Sequence, residues 1–289
     1  MSNHQAICWI DGEFVSPQNA KISVFDHGLL YGDGVFEGIR FYFGNAFRLP
    51  QHLKRLTESA AAIDLSIPLT LKAIESVILE GIKQFTKPEG YIRLIITRGV
   101  GSLGLSPSHC KAASIIVIFD DISVNEQSAH GISCTVSSIQ SMNPGALDPR
   151  IKSLNYLNHV LAKAEAHRRG FSEAIMLNQT GHVAEASAEN IFFVIDNEIH
   201  TPKIEDGGLE GITRHVIIEL AKLSGYAIRE RSIDVQELPM ATECFLSGTG
   251  AELVSVYKID DQTILHTPGP VFQSLQQAFM STIRKECAY

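Results

Sequence analysis

The sequence predicts an α/β protein of the α+β kind, built as two domains, and three observations carry that reading. Helix-period and strand-period segments are interleaved without strict alternation. A polar stretch, DISVNEQSAHG at 121–131, interrupts them with a glycine at its end. With 289 residues, 45% of them hydrophobic, the chain is long enough to bury two cores. The expected division is a small N-terminal domain over 1–121, a linker over 122–131 and a larger C-terminal domain over 132–289.

The elements follow in order. AICWI-DG-EFV reads as a hairpin, because Asp-Gly is a strong turn signal between two apolar runs. VFEGIRFYF is a strand that leaves a glycine-rich loop. Helical spacing is expected at 50–64 and 70–86, followed by the strands YIRLIITR and SIIVIFD. Past the linker, ISCTVSSI is a strand. In RIKSLNYLNHVLAKAEAHRRG the residues Leu154, Leu157, Leu161 and Ala164 recur at helical spacing, and Gly170 stops the helix. Lys152 lies just outside it. A β-rich run over 173–201 has NQTG and DN turns. Helix 213–224 follows with Thr213 as expected N-cap, then strand YAIRERSI, a helical turn, strands ECFLSG and ELVSVYKI, and a last helix.

Composition excludes several function classes. The formal charge is −8 with no basic block, which argues against nucleic acid or an anionic membrane as partner. Apolar runs such as IIVIF are too short to span a bilayer, and the N-terminus shows no signal-peptide pattern. Five cysteines form no CxxC and no even framework, so reduced thiols in a cytoplasmic protein are expected. No H-E-x-x-H, His/Cys zinc spacing or G-x-S-x-G is present, so no metal is expected.

Several motifs carry chemistry. GVGSLG, with Gly99, Gly101 and Gly104, satisfies G-x-G-x-x-G but has Pro107 three residues later and no room for a helix, so it reads as a loop and not a dinucleotide fingerprint. LEGITRHVIIEL places Gly211 before a helix start, where the amides of Ile212 and Thr213 suit a phosphate; an ordinary capped helix has the same pattern. FLSGTGAELV sets Thr249 between two glycines, suited to an anion or to a plain hairpin turn. In GHVAEASAENIFFV, Val183 and Glu185 share a face at period two, so Glu185 points inward and needs a partner, or else lies in water on an edge strand. Glu189 lies four residues on. HGLLYGDGVFEGIRFY gathers Tyr31, Phe36, Arg40 and Tyr42, a set suited to a small acid with an apolar part or to packing at a domain edge.

Together these segments resemble the fold-type IV pyridoxal-phosphate enzymes, the branched-chain aminotransferase family. YGDGVFEGIR, HLKRLTESA, YIRLIITRGVGSLGL, ALDPRIKSLNYLNHVLAK, AEASAENIF, LEGITR and FLSGTGAEL are similar to that family's signature segments, in the same order. The resemblance implies two domains with pyridoxal 5'-phosphate between them and Lys152 as the Schiff-base lysine. It implies Tyr156 on the ring hydroxyl, Glu185 on the pyridine nitrogen and Leu209 against the ring. Arg55, the backbone at Ile212 and Thr213, and the Thr249 hydroxyl are then expected on the phosphate. A carboxylate that keeps the ring nitrogen protonated lets the ring accept a carbanion's electrons, and a lysine amine buried among cations is readily neutral.

Within the family, VFEGIR resembles the branched-chain group, and Gly38 stands where aminodeoxychorismate lyases carry threonine. The implied activity is transfer from L-leucine, L-isoleucine or L-valine to 2-oxoglutarate, with a role in branched-chain amino acid biosynthesis. The alternatives are a D-amino-acid aminotransferase, whose TRG motif recurs at Thr97 to Gly99, then the lyase or an R-amine transaminase, or a silent cofactor-binding sensor. Expected substrate residues are Tyr31, Phe36, Arg40, Tyr91, Arg93, Arg98, Gly250 and Ala251. Leu94 replaces the proline many branched-chain members have after the arginine, which leaves Arg93 and Arg98 both open as the carboxylate ligand. A homodimer or larger homo-oligomer is implied, with Tyr31 and the Gly99–Gly104 loop near the partner's site.

Overall fold

The structure is a computed structural model and describes residues 6–122 and 131–288. Contacts divide the chain into two compact units. The first comprises the described residues of Met1–Ser123, Ile151–Asn155 and Ile283–Tyr289; the second comprises those of Val124–Arg150 and Tyr156–Thr282. The expected linker lies outside the described residues except at its two ends. The division expected from sequence also changes at two places, since 151–155 and the chain from 283 belong with the first unit.

In the first unit the hairpin forms as expected, with β1 (Ile7–Ile10) and β2 (Glu13–Val15) antiparallel. A short α1 (His27–Tyr31) leads to β3 (Gly34–Tyr42), β4 (Asn45–Ala46), α2 (Leu49–Ala62), α3 (Leu71–Gln84), β5 (Gly90–Thr97) and β6 (Ser114–Asp120). The sheet order is β2-β1-β6-β5-β3-β4, antiparallel throughout. Leu49, Leu53, Leu56 and Ala60 line one face of α2 at helical spacing and are buried on the sheet with Ile74, Ile78 and Ile82 of α3. Burying a side chain the size of Leu56 contributes about 1.5–3 kcal/mol.

Strand parity then decides the chemistry. Val35, Ile39, Phe41, Ile92, Leu94 and Ile96 face the helices and form the core. The intervening residues therefore occupy the opposite face, where antiparallel register sets Arg40 against Tyr91 and Gly38 against Arg93.

The second unit holds β7 (Ile132–Val136), α4 (Leu157–Arg168), β8 (Glu173–Leu177), β9 (Val183–Ala186), β10 (Asn190–Ile195), β11 (Glu198–Pro202), α5 (Ile212–Leu223), β12 (Ile228–Arg231), β13 (Glu243–Gly248), β14 (Glu252–Ile259) and β15 (Gln262–Thr263), and most of α6 (Pro270–Cys287). Its nine-stranded sheet runs β12-β11-β10-β13-β14-β7-β8-β9, with β15 on β14. Among the described residues, only β11–β12, β14–β7 and β7–β8 are parallel.

Two sequence expectations change here. Helix α4 starts at Leu157 and buries Ala162 and Ala166, while Leu157 and Leu161 are exposed. Small side chains let the helix approach Ala174 and Met176 of β8 closely, so the alanine stripe and not the leucine stripe faces the sheet. Helix α5 is capped by Gly211 without a side-chain hydrogen bond, and Thr213 is buried in its first turn instead of capping it.

Candidate functional site

Lys152 is placed by backbone pairing. The segment around it runs along the edge of β3: Phe36 N donates to Lys152 O at 2.9 Å, Leu154 N donates to Gly34 O at 2.9 Å, and Val35 and Ser153 form an antiparallel bridge. The Lys152 amide donates to Ser59 Oγ at 3.1 Å. Helix α4 opens only at Leu157, so Lys152 is outside the helix because it is committed to this edge. Its Nζ lies 4.4 Å from the centroid of the Phe36 ring. The Arg93 guanidinium lies 4.5 Å from the same centroid and 5.4 Å from that of Tyr91.

A β-carbon on Gly38 would lie 2.0 Å from the Tyr91 hydroxyl, so glycine is required for that ring to lie across the strand. Arg40 is buried, with its guanidinium 5.0 Å from the Tyr42 ring centroid. Phe36, Arg40, Tyr91, Arg93 and Lys152 are thus brought together on or beside one face of the first sheet.

Arg55 behaves differently from a free phosphate ligand. Its Nε and Nη2 donate to the two oxygens of Glu37 at 2.7 and 2.8 Å. His52 Nδ1 contacts the same carboxylate at 2.8 Å. Glu37 is fully buried, and burial would raise its pKa, yet the Arg55 charge and hydrogen bond together with His52 prevail and hold it at about 2. Burial, outweighing Glu37, lowers the pKa of His52, so the imidazole is neutral and donates.

Arg98 is committed within the fold: it forks onto Asp33 at 2.9 and 2.9 Å and donates to the carbonyls of Asp64 and Ile63 at 2.6 and 2.7 Å. Arg93 instead lies beside the Phe36 and Tyr91 rings. Tyr31 accepts from the amide of Gly104 at 3.0 Å, and His27 Nε2 lies 3.0 Å from Ser102 O, so Tyr31 and the Gly99–Gly104 loop form one block. The loop carries no helix where a dinucleotide fingerprint needs one.

In the second unit, Glu185 on β9 is buried. Leu209 N donates to its Oε2 at 2.9 Å, and Asn190 Nδ2 lies 3.5 Å from that oxygen, at the outer limit of a hydrogen bond. Asn190 Nδ2 also donates to Leu209 O at 2.8 Å. Leu209 therefore holds the carboxylate through its backbone. A β-carbon on Gly211 would lie 2.0 Å from Asn190 Oδ1, so the start of α5 can approach Asn190 only as glycine. The amides of Ile212 and Thr213 are left without a side-chain cap at the positive end of a twelve-residue helix.

Thr249, Gly250 and Ala251 are half-buried in the β13–β14 turn, which closes with Glu252 in the left-handed region at φ 58°. Tyr156 precedes α4 and stacks on His159 at 4.6 Å between centroids. His159 Nδ1 lies 2.9 Å from Ser187 O.

The second unit thus holds a buried carboxylate, a helix start without a side-chain cap and a hydroxyl-bearing turn, and the first holds Lys152 and the Arg55–Glu37 pair; each set is of a kind that suits a protonated ring nitrogen or a phosphate. The sequence reading missed Glu37, His52 and Asn190. Glu37 had a signal: at period two it falls among Val35, Ile39 and Phe41, on the apolar face.

Comparison with known proteins is consistent along nearly the whole chain. The family model described as amino-transferase class IV matches residues 34–259. A putative branched-chain-amino-acid aminotransferase of Methanocaldococcus jannaschii is 42% identical, covering 94% of each chain. The branched-chain-amino-acid aminotransferase of Escherichia coli K12 is 33% identical over 96% of this chain and 93% of its own. Among solved structures, the Escherichia coli branched-chain aminotransferase aligns with a TM-score of 0.92 at 32% identity, covering 96% of this chain and 94% of that one. The branched-chain aminotransferase of Thermobaculum terrenum, in its PLP-bound holo form, gives 0.85 at 29% identity, with 96% and 94% covered.

Proposed function

This chain belongs to the class IV aminotransferase family, and from that membership we propose that it is a pyridoxal-phosphate-dependent branched-chain-amino-acid aminotransferase, moving the amino group of L-leucine, L-isoleucine or L-valine to 2-oxoglutarate. The observation that carries the reading is Lys152, whose segment is held on the edge of β3 by backbone hydrogen bonds at Lys152 and Leu154, with its amine over Phe36.

Bound pyridoxal phosphate supplies a carbonyl that captures amino groups and a ring that withdraws electrons from the substrate's α-carbon. The chain's own residues do the rest. Lys152 holds the cofactor and, once its amine is free, moves the proton at the substrate's α-carbon. Glu185 keeps a proton on the ring nitrogen, and Tyr156 donates to the ring hydroxyl. Leu209 contributes its side chain against the ring and its amide to Glu185. Arg55, the Ile212 and Thr213 amides and the Thr249 hydroxyl bind phosphate. Phe36 and Tyr91 give the branched side chain an apolar wall. Arg93 and Arg40, with Tyr31 and the Gly250–Ala251 backbone, bind carboxylates, which allows the same site to take an apolar amino acid and a dicarboxylic acceptor.

We also read the exposed Phe25, Leu29, Leu103 and Leu105 as the face covered by a second copy of the chain. All five cysteines are free, which supports a cytoplasmic location, and among the described residues no helix is long and apolar enough to cross a membrane.

The test is the absorption spectrum of the purified protein. A yellow band bleached by L-leucine and restored by 2-oxoglutarate is expected, and Lys152→Ala should abolish transfer with the fold intact. Bleaching by D-alanine alone, or turnover by the lysine variant, would refute the assignment.

A further inference from the structure

Glu185 and the start of α5 serve opposite ends of the cofactor as proposed above, and both belong to the second unit. A ring nitrogen and a phosphate joined by one rigid ring and a short arm require the two grips to keep a fixed spacing. The chain that leads to the helix, Gly207 to Gly211, forms no helix or strand, so its place depends on what it packs against.

It packs first on β9: a β-carbon on Gly208 would lie 3.0 Å from Ala184 O and 3.6 Å from Glu185 Oε2. It then passes Asn190. That side chain is buried, and its backbone is fixed in the sheet, at the first position of β10 and in register with Ser247 of β13. Asn190 Nδ2 donates to Leu209 O at 2.8 Å and has Glu185 Oε2 at 3.5 Å. Both partners are acceptors, so the nitrogen end of the amide belongs there and Oδ1 is turned to Gly211. Leu209 N donates in turn to Glu185 Oε2 at 2.9 Å.

The torsion angles of Gly211 do not require glycine, since φ −69° and ψ 133° suit any residue. The requirement comes from Asn190. An added β-carbon would lie 2.0 Å from its Oδ1 and 3.2 Å from its Cγ, whereas the next neighbour, Arg214 Cβ, is at 3.3 Å. Gly211 is the N-cap of α5, immediately before Ile212 and Thr213, so whatever moves the Asn190 oxygen bears directly on the helix start.

We propose that Asn190 is a positioning residue that sets the spacing between Glu185 and the N-terminus of α5, its nitrogen holding Leu209 beside the carboxylate and its oxygen seating the backbone of Gly211. This rests on the cofactor roles proposed above. It makes the two grips coupled: a change at Gly211 is felt at Glu185.

Coupling separates this role from a merely structural one. The probes are pyridoxal phosphate and pyridoxal, which keeps the ring nitrogen and lacks the phosphate. The readout is the dissociation constant of each for the full chain, well below its melting temperature. Gly211→Ala alters the phosphate end, yet it should weaken both probes by about tenfold, because a displaced Asn190 no longer holds Leu209 beside Glu185. Asn190→Ala should weaken both by about fivefold through loss of the hydrogen bond to Leu209. In the Asn190→Ala background the added β-carbon meets no oxygen, so Gly211→Ala should cost less than about twofold further.

Weaker binding of pyridoxal phosphate to Gly211→Ala with pyridoxal unaffected would overturn the coupling, since the helix start would then act alone. Losses that simply add in the double variant would overturn the contact between Asn190 and Gly211 as their cause. A lower melting temperature for Asn190→Ala with both affinities retained would make the residue structural only. Wild-type protein that takes up neither probe would overturn the function itself and the positioning with it, while the melting temperatures of the four proteins would still report on the contact.

Discussion

Replacing Glu37 by glutamine removes one negative charge from a fully buried position. The Arg55 side chain is 12% exposed and directs Nε and Nη2 at Glu37, so Glu37→Gln strands a largely buried cation. Breaking a buried pair by removing one partner costs about 3–5 kcal/mol. An independent route gives a similar figure. The carboxyl is held at about 2 against an ordinary 4.5, and that gap corresponds to about 3 kcal/mol of stabilisation. Glutamine still accepts one hydrogen bond, so the lower figure is expected.

The assay uses Trp9, the chain's single tryptophan, which is buried on β1 in the same unit as Glu37. Urea unfolding followed by its fluorescence at pH 7 should show a midpoint lowered by about 1–2 M for a slope of about 2 kcal/mol per M. Because the folded pKa lies below the unfolded one, the wild-type advantage is complete above about pH 4.5 and disappears as pH falls toward 2. A loss under about 1 kcal/mol at pH 7, or one that stays constant down to pH 2.5, would refute the reasoning.

Gly38→Ala drives a β-carbon to 2.0 Å from the Tyr91 hydroxyl, and that ring end is the part free to swing away. The expected outcome is a KM for L-leucine raised about tenfold or more with cofactor uptake retained, since displacing one well-placed wall costs on the order of 1.4 kcal/mol or more; an unchanged KM would show that Tyr91 does not line the substrate pocket. Leu103 and Leu105 are 68% and 80% exposed on the loop tied to Tyr31. Replacing both by aspartate should shift sedimentation toward a single copy, and an unaltered sedimentation coefficient would mean that this face is not where copies meet.

What the sequence determined by itself was whatever repeats locally. The hairpin at Asp-Gly, the two N-terminal helices and the alternation of β5 are each set by neighbours within a few residues, and all appear as expected. Glu185 was legible as an inward carboxylate from its parity with Val183, and Gly211 as a close approach. Tertiary structure decided everything that depends on a partner distant in sequence. Lys152 owes its place to the unpaired edge of β3, more than a hundred residues earlier, which no local pattern around Lys152 encodes. Arg98 reads as a ligand and is instead a structural fork on Asp33, while Arg55 shares its guanidinium with Glu37. The leucines of α4 read as a core stripe, yet alanines face β8, because the helix–sheet distance and not the side chain's apolarity selects which face is buried. Periodicity reports which faces an element has; only the packed chain settles what each face meets.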